Sequence, residues 1–207
     1  MTWLIKNIIF DLGGVLLNID YKKTENAFKE LGYSHFEKMY SQFTADELFV
    51  KLETGKINIA DFLKVLTDSH EQNISPKQVI KAWNSMLLDW RQESLLFLSE
   101  LAKSYKIFLL SNTNEIHQEA FNRILNTQNG MSSIDHLFTK AWYSHKIHFR
   151  KPNADIFEFV LKDAGITAAE TLFIDDSANN IEAAKAAGFK THWLVSGEKI
   201  ETLNYRL

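Results

Sequence analysis

The chain has 207 residues, 45% of them apolar and 24% charged, a composition that excludes disorder and suits one sizeable domain with a large insertion, or two small ones. A formal charge of −3 without a dense Lys/Arg stripe gives no reason to expect nucleic acid as a partner, and the absence of cysteine excludes disulfides and thiolate metal sites. Neither a signal peptide nor a membrane span is readable, so a cytoplasmic protein that is a monomer or weak homodimer is the expectation.

Residues 5–10, Ile-Lys-Asn-Ile-Ile-Phe, form a short apolar run that predicts a strand, and Asp11 follows at its carboxyl end. Leu12-Gly13-Gly14-Val15 then turns the chain, with two glycines that let backbone N–H groups approach a ligand. Asp20 precedes a helical stretch from Tyr21 to Leu31 that Gly32 would end. Thr44 could cap a second helix, Ala45 to Thr54, before Gly55. Asn58 precedes a third over Ile59 to Thr67, and Ser75-Pro76 starts a fourth reaching about Asp89. No convincing strand is evident between 20 and 88, so an all-helical insertion is expected.

The pattern then alternates. A helix over Glu93 to Tyr105 leads to a buried-type strand, Ile107 to Leu110, ending in Ser111-Asn112-Thr113-Asn114. A helix over Glu115 to Leu125, a loop over Asn126 to Ser133, a short strand over Thr139 to Ser144 and a basic connection from His145 to Lys151 follow. Asn153 to Asp163 is helical, Thr171 to Ile174 is a strand ending in Asp175-Asp176, and a helix over Asn179 to Ala187 precedes a last strand, Thr191 to Val195. Such alternation implies right-handed βαβ units, a doubly wound parallel sheet and an α/β class. The expected division is a core of residues 1–19 and 90–207 with a helical cap over 20–89.

In a parallel sheet the strand ends share one edge, so Asp11, Ser111-Asn112 and Asp175-Asp176 should meet there. Lys151, held extended by Pro152, is a candidate to join them. Carboxylates suit Mg²⁺, while a lysine, a serine hydroxyl and free N–H groups suit a phosphate dianion. An aspartate can carry a phosphoryl group that water later removes. Taken singly, Ser111-Asn112 could be a helix cap, Lys151 a solvated loop residue and Asp20 a plain N-cap. Likewise Glu53-Thr54-Gly55 could be a helix stop or touch substrate, and Arg150 could steer an anion or lie in solvent. His145 and His148 lack an evident third ligand for a metal pair.

Four stretches together resemble the haloacid dehalogenase superfamily on its phosphatase side. They are Phe10-Asp11-Leu12-Gly13-Gly14-Val15-Leu16, Leu110-Ser111-Asn112-Thr113-Asn114, Arg150-Lys151-Pro152, and Phe173-Ile174-Asp175-Asp176-Ser177 with Asn179-Asn180-Ile181. The wording is similar to the bacterial α-D-glucose-1-phosphate phosphatase branch, including a histidine at position 117. The resemblance implies a doubly wound core with a helical cap and Mg²⁺-dependent hydrolysis of a small phosphorylated metabolite such as a hexose 1-phosphate. It assigns Asp11 as nucleophile and metal ligand, and Gly13, Asp175 and Asp176 as the rest of the metal site. It gives the transferring phosphoryl group to Ser111, Asn112, Lys151 and the turn at Leu12 and Gly13.

One departure stands out: most phosphatases of that superfamily carry a second aspartate, the general acid–base, where this chain has Gly13. His117, Asp20 or a water is then expected to substitute. Two other readings stay open, a metal-independent 2-haloacid dehalogenase and a catalytically weak phosphate-ligand-binding protein.

Overall fold

The computed structural model describes residues 5–42, 45–68 and 73–205. Its centre is a five-stranded parallel sheet. β1 (Asn7–Phe10) runs between two later strands because its residues are apolar on both faces. Ile8 and Phe10 point to one side and Ile9 to the other, as the two-residue period of a strand requires.

After the turn at residues 11–16, β2 (Leu17–Ile19) leaves the sheet and the chain enters five helices. α1 (Tyr21–Glu30) begins at Asp20, whose carboxylate accepts from the Lys22 N–H at 2.9 Å. α2 (Phe36–Met39) is a single turn that the hydrophobic spacing did not predict. Thr44, the expected cap of the next helix, lies outside the described residues; α3 (Glu47–Glu53) is capped instead by Asp46. α4 (Ile59–Asp68) follows Asn58, whose side-chain oxygen accepts from the Asp61 N–H. α5 (Pro76–Asn84) has the Ser75 cap, Pro at its start and a reciprocal bond from Gln78.

α5 is five residues shorter than expected (Asn84 against Asp89), because β3 (Leu87–Trp90) pairs antiparallel with β2. This small two-stranded sheet, where no strand was expected, joins the helical insertion to the main sheet. Its backbone bonds and the burial of Leu17 and Trp90 outweigh the helical look of Leu87-Leu88.

The remaining elements alternate. They are α6 (Gln92–Leu101), β4 (Lys106–Ser111), α7 (Glu115–Asn129), β5 (Lys140–Tyr143), the short α8 (Ser144–Ile147), α9 (Ala154–Ala164), β6 (Thr171–Asp175), α10 (Ala178–Ala186) and β7 (Lys190–Trp193). α7 runs through the first half of the expected loop and stops at Gly130 in a left-handed conformation. The strand order is β5-β4-β1-β6-β7, and Phe10 sits level with Leu109 on one side and Ile174 on the other. That register puts Asp11, Ser111 and Asp175 at one edge.

Two apolar layers sandwich the sheet. Leu95 and Leu98 of α6 and Phe121 and Leu125 of α7 cover the face of Ile8, Phe10 and Ile107. Ile156, Phe157 and Val160 of α9 and Ile181 of α10 cover the face of Ile9, Phe108 and Phe173. The insertion has its own core around Phe28, Phe36, Phe49, Phe62 and Trp83. Phe49 is fully buried there, with edge contacts to Phe36 and Phe62 at 5.7 and 5.5 Å. Phe49→Ala should therefore lower stability by about 3–5 kcal/mol in urea unfolding, and a loss below about 1 kcal/mol would contradict an independently packed cap core.

Candidate active site

The loop after β1 is folded on itself. The N–H groups of Leu16 and Leu17 both donate to the Leu12 carbonyl, and the Gly14 N–H donates to that of Leu17 at 2.8 Å. The N–H groups of Leu12 and Gly13 have no acceptor among the described residues. Gly14 has φ of +71°, and a Cβ there would collide with the Asp176 carboxylate, so this glycine sets how close the fourth motif comes.

Lys151 holds the centre. Its side chain is buried, and its ammonium donates to the Leu110 carbonyl at 2.8 Å, to Asp11 Oδ1 at 2.8 Å and to Asp175 Oδ2 at 2.7 Å. Burial alone would lower the Lys151 pKa, but the Asp11 and Asp175 carboxylates outweigh it and hold the value above the usual lysine range. The loop carrying it is fixed by Asn112, whose amide oxygen accepts from the Lys151 N–H at 2.9 Å and whose amide nitrogen donates to the Lys151 carbonyl at 2.8 Å. The Asn112 side chain, expected on a phosphoryl oxygen, lines the cavity and makes these two bonds to the backbone of Lys151. Ser111 is buried and faces the cavity, with only a long 3.4 Å contact to the Asn112 carbonyl.

The two adjacent acids differ. Asp175 is fully buried and saturated: Oδ1 accepts from the Ser177 N–H and Asn180, and Oδ2 from Lys151 and Asn180. Asp176 faces the cavity, and among the described residues its carboxylate accepts a hydrogen bond from Gln42 of the cap at 3.2 Å. Asp11, Asp175 and Asp176 each place a carboxylate oxygen within 4.8 Å of the others. Burial pushes the Asp11 pKa up to about 7, with Asp175 and Asp176 adding to it against the pull of Lys151. Burial and Asp175 raise Asp176 to about 6. Three carboxylates against one ammonium leave an excess of negative charge that a divalent cation would neutralise, and Asp11 and Asp176 are hard oxygen donors that suit one.

A cavity of about 170 Å³ lies over this edge, with the cap as its roof. Tyr21, Tyr40, Gln42 and Glu53 line it from the cap side, and Arg150 and His117 from the core. Glu53 is buried, accepting from Tyr40 at 2.8 Å and from Arg150 Nε and a terminal nitrogen at 2.9 and 2.8 Å. So neither Glu53 nor Arg150 is a solvated surface group. His148 Nδ1 lies 2.8 Å from the Thr54 carbonyl, and His145 packs against Gly55, so these two histidines brace the cap. His117 stacks on Trp83 (centroids 4.5 Å apart), with Nε2 3.1 Å from the Trp83 carbonyl; burial pushes its pKa down to about 4. Asp20 is not among the cavity-lining residues and serves as the α1 cap. Tyr21 and Gln42 carry no motif and were not singled out in the sequence. The one available clue was that Tyr21 directly follows the cap of the first inserted helix.

A family model for haloacid dehalogenase-like hydrolases matches residues 5–188. The chain belongs to this family. It is 32% identical to a D-ribitol-5-phosphate phosphatase of Bacteroides thetaiotaomicron over 91% of each chain. Among solved structures, a haloacid dehalogenase family enzyme of the same bacterium in a magnesium complex superposes with a TM-score of 0.85 at 35% identity, covering 95% of this chain and 96% of that one. A predicted hydrolase of this family from Porphyromonas gingivalis superposes at 0.84 with 32% identity, over 94% and 93% of the two chains. A 2-haloacid dehalogenase of Pseudomonas syringae also superposes, at 17% identity and a TM-score of 0.54 over 92% of this chain and 86% of that one, which speaks to the fold alone. The chain is therefore a haloacid dehalogenase-like hydrolase of the phosphatase side.

The two acids should respond oppositely to neutralisation. Asp175→Asn removes a partner of a buried ammonium and should cost about 3–5 kcal/mol. Asp176→Asn relieves repulsion and should raise the stability of the cation-free protein at about pH 8 by on the order of 1 kcal/mol. Chemical unfolding of both variants in EDTA checks this, and equal losses would refute the division of roles.

Proposed function

We propose that this hydrolase removes phosphate from a small phosphomonoester, a polyol or sugar phosphate, with Asp11 as the nucleophile and Mg²⁺ as cofactor. The observation that carries the reading is the Lys151 ammonium clamped between Asp11 and Asp175 beneath a roofed cavity, with Asp176 open to it. Asp11 and Asp176 would hold the ion, with the Gly13 carbonyl as a further ligand. Asp175 positions Lys151 and the Ser177 turn, since both its oxygens are already used. Mg²⁺, when bound, offsets the repulsion between an anionic nucleophile and an anionic ester.

The protein groups divide the remaining work. Lys151 orients the Asp11 carboxylate and, beside it, offers positive charge to the equatorial phosphoryl oxygens. Ser111 and the unpaired N–H groups of Leu12 and Gly13 supply donors to the same oxygens. Asp11 attacks phosphorus and forms an aspartyl phosphate, which water then hydrolyses. The cap roof keeps bulk water from the acyl phosphate and limits the size of the alcohol.

The volume of about 170 Å³ suits a short alcohol rather than a large one. The similarity to a phosphatase named for D-ribitol 5-phosphate supports an open-chain polyol ester at least as well as a hexose 1-phosphate. Gly13 alone supports the binding-protein reading, and the pre-assembled nucleophile and ammonium count against it.

Asp11→Asn should abolish turnover, with at least about a 10³-fold loss of kcat, while leaving the fold intact. A phosphorylated-metabolite panel including D-ribitol 5-phosphate and glucose 1-phosphate, run with Mg²⁺ and with EDTA, measures both activity and selectivity. Full activity in the variant or in EDTA would end this mechanism.

A linked expectation concerns pH. Asp11 at about 7 and Asp176 at about 6 are raised above the ordinary carboxylate range, so their protons favour the cation-free fold at low pH. That contribution is lost as pH rises through about 6 to 7. Mg²⁺ needs the deprotonated carboxylates, so the rise in Tm produced by saturating Mg²⁺ should be larger at about pH 8 than at about pH 5. Thermal scans at both pH values check it, and equal increments would show that these carboxylates do not hold the ion.

A further inference from the structure

We infer that the Tyr21 hydroxyl is the proton donor to the leaving oxygen, doing from the cap what a carboxylate at position 13 would do from the core. The inference rests on the phosphatase reading and deepens it.

Position 13 is a glycine and supplies no acid of its own. A Cβ on Gly13 would lie 2.9 Å from Ile19 Cδ1, so the β2 side chain occupies that side of the loop. The other titratable proton donors that line the cavity are committed elsewhere. Lys151 spends its three N–H groups on Leu110, Asp11 and Asp175. Arg150 is paired with Glu53, and the Tyr40 hydroxyl donates to the same carboxylate. The His117 Nε2 lies against a carbonyl, which can only accept, so the ring's single proton is held there and not at Nδ1.

Tyr21 is different. It lines the same cavity as Asp11, Gly13 and Asp176, and its hydroxyl has no acceptor among the described residues. Asp20 fixes the start of its helix, and its ring rests against that of Tyr40 with centroids 6.2 Å apart. Burial, and then the charges of Asp176, Asp11, Glu53 and Asp175, keep the phenol protonated well above its ordinary range. The hydroxyl is thus a neutral donor on the cap side of the cavity that Asp11 lines from the core. A departing alkoxide is more basic than an ordinary phenolate, the order that general-acid help to a leaving oxygen needs.

The step balances. As an Asp11 oxygen bonds to phosphorus, the bond from phosphorus to the alcohol oxygen breaks, and that oxygen takes the phenolic proton to leave as the alcohol. In the second half, water oxygen bonds to phosphorus, the bond from phosphorus to Asp11 breaks, and a proton of that water returns to the phenolate. The sum is ester plus water giving alcohol plus phosphate.

Leaving-group dependence tests it. kcat/KM, which reports the first phosphoryl transfer, is measured with Mg²⁺ for the best alkyl phosphate of the panel and for p-nitrophenyl phosphate, whose leaving group needs no proton. In Tyr21→Phe the ratio of alkyl to aryl kcat/KM should fall on the order of 10²-fold. In Tyr40→Phe, which perturbs the same cap wall, the ratio should hold. An unchanged ratio in Tyr21→Phe, whether both esters slow together or neither does, overturns the assignment. Failure of the wild-type protein to hydrolyse either ester would instead overturn the phosphatase reading.

Discussion

The buried Lys151 ammonium is the interaction on which the rest of the site depends. Among the described residues it is the positive charge in direct contact with Asp11 and Asp175, and Asp176 lies just beyond. Without it the edge of the sheet would gather three carboxylates in a region that water hardly reaches, and folding would oppose their assembly. Its three donors hold three separate pieces of chain in place: the end of β4 through Leu110, the end of β1 through Asp11 and the end of β6 through Asp175. Asn112 then clasps the Lys151 backbone, so the loop that carries the lysine is bound to the end of β4. The placement of Asp11 and the stability of the fold are therefore set by the same contacts.

The cap is tied to this edge by contacts of a different kind. Trp83, at the centre of the cap cluster, stacks on His117 of α7, and its indole N–H points toward Asn114 at 3.4 Å. Glu53 reaches across to Arg150, the residue before the clamping lysine, at 2.8–2.9 Å. Gly55 presses on the His145 carbonyl, an approach that any side chain at that position would block. A roof attached at these points and joined to the core through β2 and β3 can enclose a small ester while leaving Lys151 undisturbed.

Much of this was legible in the sequence, for identifiable reasons. Strands buried on both faces leave nearly continuous apolar runs, so β1, β4 and β6 could be recognised, and parallel topology then forced Asp11, Ser111 and Asp175 together. What could not be read involved partners distant in sequence. β3 looks helical until β2 is there to pair with it, and the one-turn α2 is too short to show a period. Glu53 and Arg150 are 97 positions apart and only their pairing explains the burial of Glu53. The resemblance put Asn112 on phosphate, but gave no sign that its amide also matches a backbone that only the folded loop presents. Tyr21 belongs to no motif because its role depends on where the hinge places α1.

The glycine at position 13 changes more than one residue's chemistry. An acid on the core loop would be in place whether or not the cap is closed over the ester. With Ile19 filling that side and the free donor on α1, protonation of the leaving oxygen depends on the cap being seated. An alcohol that fits beneath the roof brings its bridging oxygen to Tyr21, and one that props the roof open does not. Selectivity for the alcohol and the chemical step are then coupled through a single helix start. The short connection through β2 and β3, which fixes where Tyr21 sits relative to Asp11, becomes part of the catalytic apparatus.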